Sequence, residues 1–131
     1  MKKIFYISLF FIFPLISSAQ ISPQEVKRIK EEISKIQSQA NAADPKRADL
    51  FVKIGKLYSQ INDADNAQIS FEKALEIDPK NDEAHFMLAL IFEKKKIDNK
   101  ALEHWKKCLE FTSNASFKAI AEKHINYLSR K

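Results

Sequence analysis

Four side chains in this sequence could do covalent or metal chemistry: His85, His104, His124 and Cys108. A helical metal site needs two ligands one turn apart, and no two of the histidines have that spacing. Glu103 and His104 are adjacent, so on a helix they point apart. Cys108 lies four residues after His104 and could share its face, but a thiol and an imidazole without a third orienting group make a poor nucleophile. The stretch Asn62-Asp63-Ala64-Asp65-Asn66 has the oxygen donors of a calcium loop and lacks its glycine and closing glutamate, so helix capping is the better reading. The sequence therefore predicts no catalytic residue, no metal site and no cofactor. Cys108, in "WKKCLE", sits on the apolar face of a helix and reads as a buried small hydrophobe.

What remains is scaffold. The chain is 45% hydrophobic and 30% charged, with one glycine. That balance is globular, and the scarcity of glycine argues against hairpins and phosphate-cradling loops. The first residues, "MKKIFYISLFFIFPLISSAQ", combine two lysines, an apolar run from Ile4 to Ile16 and the small residues Ser17 and Ala19. This is the form of a secretory signal peptide, residues 1–19, cut before Gln20. A retained anchor is the alternative, but the run is short of the roughly 20 residues of a membrane span and contains Pro14. No cysteine follows the cut to carry a lipid. The expected location is the periplasm, reached across the inner membrane, with no stable membrane insertion after removal of the signal.

The formal charge is +5, and +3 once Lys2 and Lys3 leave with the signal. The charges are interspersed apart from Lys94-Lys95-Lys96, which suits the C-terminal end of a helix dipole. Nothing calls for nucleic acid.

Shifting the sequence on itself by 34 residues aligns Leu50 with Ala84, Ile54 with Leu88, Gly55 with Ala89, Leu57 with Ile91 and Tyr58 with Phe92. The same shift aligns Ala67 with Ala101, Phe71 with Trp105, Ala74 with Cys108 and Leu75 with Leu109. Size class is kept at each pair, the mark of a structural repeat. Each unit holds two amphipathic helices. Asn62 suits a left-handed helix end, Asp63 or Asp65 an N-cap, Asp78 the N-cap of the next helix, and Pro79 its first position.

These residues resemble the tetratricopeptide repeats. The first unit, 45–80, carries Phe51, Ile54, Gly55, Tyr58, Ala67, Phe71, Ala74 and Pro79 in the family's spacing. The second, 81–114, carries Leu88, Ala89, Phe92, Ala101 and Trp105 and departs at His85, Cys108, Ser113 and the inner turn at Lys96. The resemblance implies an all-α, right-handed α-solenoid of antiparallel helix pairs with about six helices. Residues 20–44 form an N-terminal helix opened by a capping box of Ser22 and Glu25, which is either a half-repeat or a short coiled coil. Residues 115–131 form a C-terminal capping helix.

The resemblance also implies a concave groove lined by the first helix of each unit, here Val52, Lys53, Lys56, Ser59 and Gln60, then Phe86, Met87, Leu90, Glu93 and Lys94. The function it implies is an exported, non-enzymatic interaction module that binds a peptide or helix of a partner protein. The alternative is a homo-oligomer assembled through the N-terminal helix. Phe86 and Leu90 are either open to the partner or covered by the C-terminal helix. Gly55 reads as a close approach between helices, so Gly55→Ala is expected to be tolerated or stabilising and Gly55→Leu to overpack.

Overall fold

The computed structural model describes residues 20–42 and 47–131. The signal-peptide segment 1–19 and the Asp44-Pro45 boundary of the first unit lie outside them. Among the described residues there are six helices: α1 (Pro23–Ala42), α2 (Ala48–Gln60), α3 (Ala64–Ile77), α4 (Asp82–Lys94), α5 (Asp98–Phe111) and α6 (Ala115–Leu128). Each packs on its neighbours in sequence, and α2 with α3 and α4 with α5 make the two most extensive pairs. The result is an all-α solenoid of antiparallel helix pairs with a single helix at each end.

Local chemistry explains the punctuation. The Glu25 amide donates to Ser22 Oγ at 3.1 Å, while the Glu25 carboxylate accepts from Arg28 at 2.9 Å. The serine thus caps α1, and the glutamate is drawn to the guanidinium one turn on. The Asn66 amide donates to Asp63 at 3.1 Å, which fixes Asp63 as the cap of α3. That bond and the Asn66 side-chain amide hold the Asp63 carboxyl below the usual carboxylate range. The counterpart of Asp63 is Ile97, where α5 starts with no side-chain cap.

Both inner turns go through a left-handed residue without glycine: Asn62 at φ 58° and Lys96 at φ 61°. Asparagine tolerates that region, whereas lysine is strained there.

The expected cap of α4 is corrected. Asn81, not Asp78, accepts from the Ala84 amide at 2.8 Å and starts the helix. Asp78 ends α3, and the Asn81 amide donates back to its carbonyl at 3.1 Å. Pro79 therefore sits at the second position of a turn, where its fixed φ is suited, rather than inside α4.

The core is in two parts. Ile29, Ile33 and Ile36 of α1 bury against Ile54 and Leu57 of α2. The stripe that could have formed a coiled-coil seam is thus spent inside the chain. The larger cluster joins Ala67, Phe71 and Ala74 to Ala84, Leu88, Ala89, Phe92, Ala101, Trp105, Ala121 and Leu128. Of the signature residues, Phe51, Tyr58, Ala67, Phe71, Ala74, Leu88, Ala89, Phe92, Ala101 and Trp105 lie in or against it, while Ile54 packs with α1. At Gly55, α2 lies close against Phe71 of α3. A Cβ built there would stand 2.8 Å from Cε1 and Cζ of Phe71, a ring with no solvent exposure. The close approach is as expected, and a single methyl there would already press on the ring, which must shift to admit it.

Candidate functional site

The groove residues expected from the repeat do not all reach one surface. Val52 is only 5% exposed and packs into the main core. Lys53 and Lys56 stand out from α2 and are both engaged: Lys53 with Glu32 of α1 at 3.3 Å, Lys56 with Glu83 of α4 at 2.6 Å. Gln60 is exposed at the end of α2. On α4, Phe86 is covered. Its ring stacks on Phe117 of α6 at 4.3 Å and meets Trp105 edge-on at 5.1 Å. Glu93 also turns to α6, where its carboxylate meets His124 Nδ1 at 2.7 Å. As groove residues, Val52, Phe86 and Glu93 are therefore corrected: the first is core, and α6 claims the other two.

What stays open is smaller and more apolar. Met87, Leu90 and Ile91 of α4 line a cavity of about 150 Å³ with Ser59, Asn62, Ala64 and Lys94. Leu90 is 36% exposed, although it is flanked by the buried Ala89 and Ile91. The Ser59 hydroxyl is occupied with the Gly55 carbonyl at 3.0 Å, so the wall it offers is mostly hydrocarbon. Lys94 supplies the one charge at the rim.

Of the residues with chemical potential, His85 and Cys108 are buried, while His104, His124 and Asp63 are half-buried and Asp65 is exposed. Cys108 is fully buried, and desolvation, with a smaller contribution from Asp82, pushes its thiol up to about 11, so at neutral pH it is an unreactive thiol. Asp63 is used as a cap, and Asp65 pairs with Lys95 at 2.6 Å. Among the described residues no cluster of three histidine, cysteine or acidic side chains is arranged to hold a metal.

A family model described as tetratricopeptide repeat matches residues 48–81, and a second with the same description matches 70–103. Residues 48–103 are thus tetratricopeptide repeat sequence. The first match coincides with α2, α3 and the turn after them, so the tetratricopeptide pair is drawn there as the helices are. The second starts inside α3 and ends inside α5, bridging the two pairs through α4. Comparison with curated proteins finds no match. Repeats of this family generally mediate protein–protein contacts, and no helix among the described residues is long and apolar enough to cross a membrane.

One arrangement escaped the sequence reading. His85 and His104 meet across the α4–α5 pair, with their Nδ1 atoms 3.0 Å apart. The two flank the turn at 95–97 unequally, ten residues before it (95 − 85) and seven after it (104 − 97), so mirror pairing about the turn did not announce the contact. Their counterparts in the first tetratricopeptide unit are Phe51 and Ser70.

Proposed function

We propose that this tetratricopeptide protein is an exported adaptor without catalytic role, and that it holds a segment of a partner protein against α4. The observation that carries this reading is the open apolar cavity of about 150 Å³ between the end of α2 and α4. A partner would seat one aliphatic side chain over Met87, Leu90 and Ile91 and place an acidic neighbour near Lys94. Lys53 and Lys56 lie along the same helix face, about half exposed, and can exchange Glu32 and Glu83 for an acidic partner at little cost, because exposed ion pairs are worth about 0–1 kcal/mol. The export rests on residues 1–19, whose basic start, apolar centre and small-residue end suit a secretory leader to the periplasm.

The test is a photo-crosslinking residue at position 90, with position 69 on α3 as control, since Ile69 is also exposed. The expected result is an adduct of defined mass at 90 only, lost when Met87→Ser is added with the helical signal unchanged. Equal adducts at both positions, or none at 90, would overturn the groove assignment. Fractionation with N-terminal sequencing checks export: a mature chain starting at Gln20 is expected, and a cytoplasmic chain starting at Met1 would remove that part of the proposal.

A further inference from the structure

All three histidines of the chain lie in α4, α5 and α6. His85 is 6% exposed. Its Nε2 lies 2.9 Å from the Pro79 carbonyl, which only accepts, so the neutral ring carries its proton on Nε2 and offers a bare Nδ1. His104 then donates its Nδ1–H to it across 3.0 Å. The His104 ring stacks on Phe92 at 5.4 Å, and the His85 ring lies against Phe111 at 5.8 Å.

The arrangement is built for two neutral rings. A proton on His85 turns its Nδ1 into a second donor aimed at the first. A proton on His104 keeps that bond and stacks a cation on Phe92, which the ring face accepts, so the disruptive charge is the one on His85, or a second one that sets two cations side by side. The charged groups around them are mixed. Asp78 faces His85 from the turn before α4, and Glu103 and Lys107 face it from α5. Glu72 faces His104 from α3, and Glu103 and Lys100 flank it on α5. From α6, His124 approaches α4 through Glu93 and stacks on Trp105 at 4.6 Å.

We propose that the His85–His104 pair makes the second half of the solenoid acid-sensitive: protonation loosens α4 from α5. The first unit has Phe51 and Ser70 at the matching positions, neither of which titrates; its α2 packs Ile54 and Leu57 on α1, while α3 shares the larger core with α4–α6. In an array where each element contacts only its neighbours, such a difference permits partial opening. Because Met87 and Leu90 are on α4, loosening would also open the groove wall. That consequence rests on the proposed function, whereas the loosening does not.

Burial sets the direction. It lowers both histidines, His104 to about 4 from an ordinary 6.5. A group depressed in the folded state contributes stability that is present above its unfolded value and is lost as pH falls below it. The window is therefore pH 6.5 down to about 4. From His104 alone the folding equilibrium should drop roughly ten- to twenty-fold between pH 7 and 5.

The experiment is a pH titration of the purified protein followed by imidazole NMR, by the fluorescence of Trp105, the only tryptophan, and by far-UV circular dichroism. The expected result is a red shift of Trp105 below pH 6 ahead of a smaller loss of helical signal, with two imidazoles uncharged until that shift. The double variant His85→Gln with His104→Asn keeps a donor for Pro79 and a polar contact between the helices, and should flatten the response. If both imidazoles titrate near 6.5 with Trp105 unchanged, the proposal is wrong. It is also wrong if the folded double variant responds as the parent does. Should the variant not fold, the imidazole titration of the parent decides alone. Crosslinking at position 90 at pH 7 separates failure of the groove from failure of the switch.

Discussion

Replacing Gly55 with alanine sets two known magnitudes against each other. Alanine in a helix interior is favoured over glycine by about 0.8–1.0 kcal/mol. Against that, the new methyl would stand 2.8 Å from two atoms of the Phe71 ring and 2.9 Å from a third. Carbon atoms prefer roughly 3.5–4.0 Å, so the ring must retreat by more than half an ångström in a site where it has no exposed surface. Such overpacking costs typically about 1–3 kcal/mol. The clash outweighs the propensity, and Gly55→Ala should lose about 1 kcal/mol net, lowering the melting temperature by several degrees. The sign should reverse once the ring is removed. In a Phe71→Leu background the same change should gain up to about 1 kcal/mol. A double-mutant cycle by urea unfolding therefore predicts a coupling of about 2 kcal/mol. If Gly55→Ala stabilises the parent protein, or the cycle shows no coupling, the account of α2–α3 packing is refuted.

Two further changes follow from comparing the units. Lys96 is held at φ 61°, so Lys96→Gly should relieve strain and raise stability by about 0.5–1 kcal/mol in thermal melts. Ile97→Asp supplies α5 with the cap that Asp63 gives α3 and removes a side chain 40% exposed, for a gain of about 1 kcal/mol by urea unfolding.

The repeat was legible because packing forces size to recur. Gly55 and Ala89, Phe71 and Trp105, Ala67 and Ala101 announce two equal helix pairs before any coordinates, and the left-handed turn at Asn62 follows from its residue type. Less legible was whatever depended on choosing between near-equal neighbours. Asp78 and Asn81 are both good caps, and what decides between them is the turn that Pro79 takes. The groove was read from the first helices alone. Its real extent depends on α6, whose sequence does not follow the repeat: covering of Phe86 by the C-terminal helix was one of two alternatives, and the pairing of His124 with Glu93 was not foreseen. The histidine contact was missed because the spacing rules for ligands apply within one helix, whereas His85 and His104 meet across two.

Cys108 gives the molecule a chemical clock. With the thiol enclosed and its ionisation suppressed, any reagent or oxidant must wait for α5 to lift away. With reagent concentrated enough to outpace reclosing, the rate of labelling is the rate at which its second half opens; with dilute reagent it follows the fraction of time that half stands open. In an oxidising compartment the lifetime of the thiol would thus read out how much of the time this half of the molecule is open.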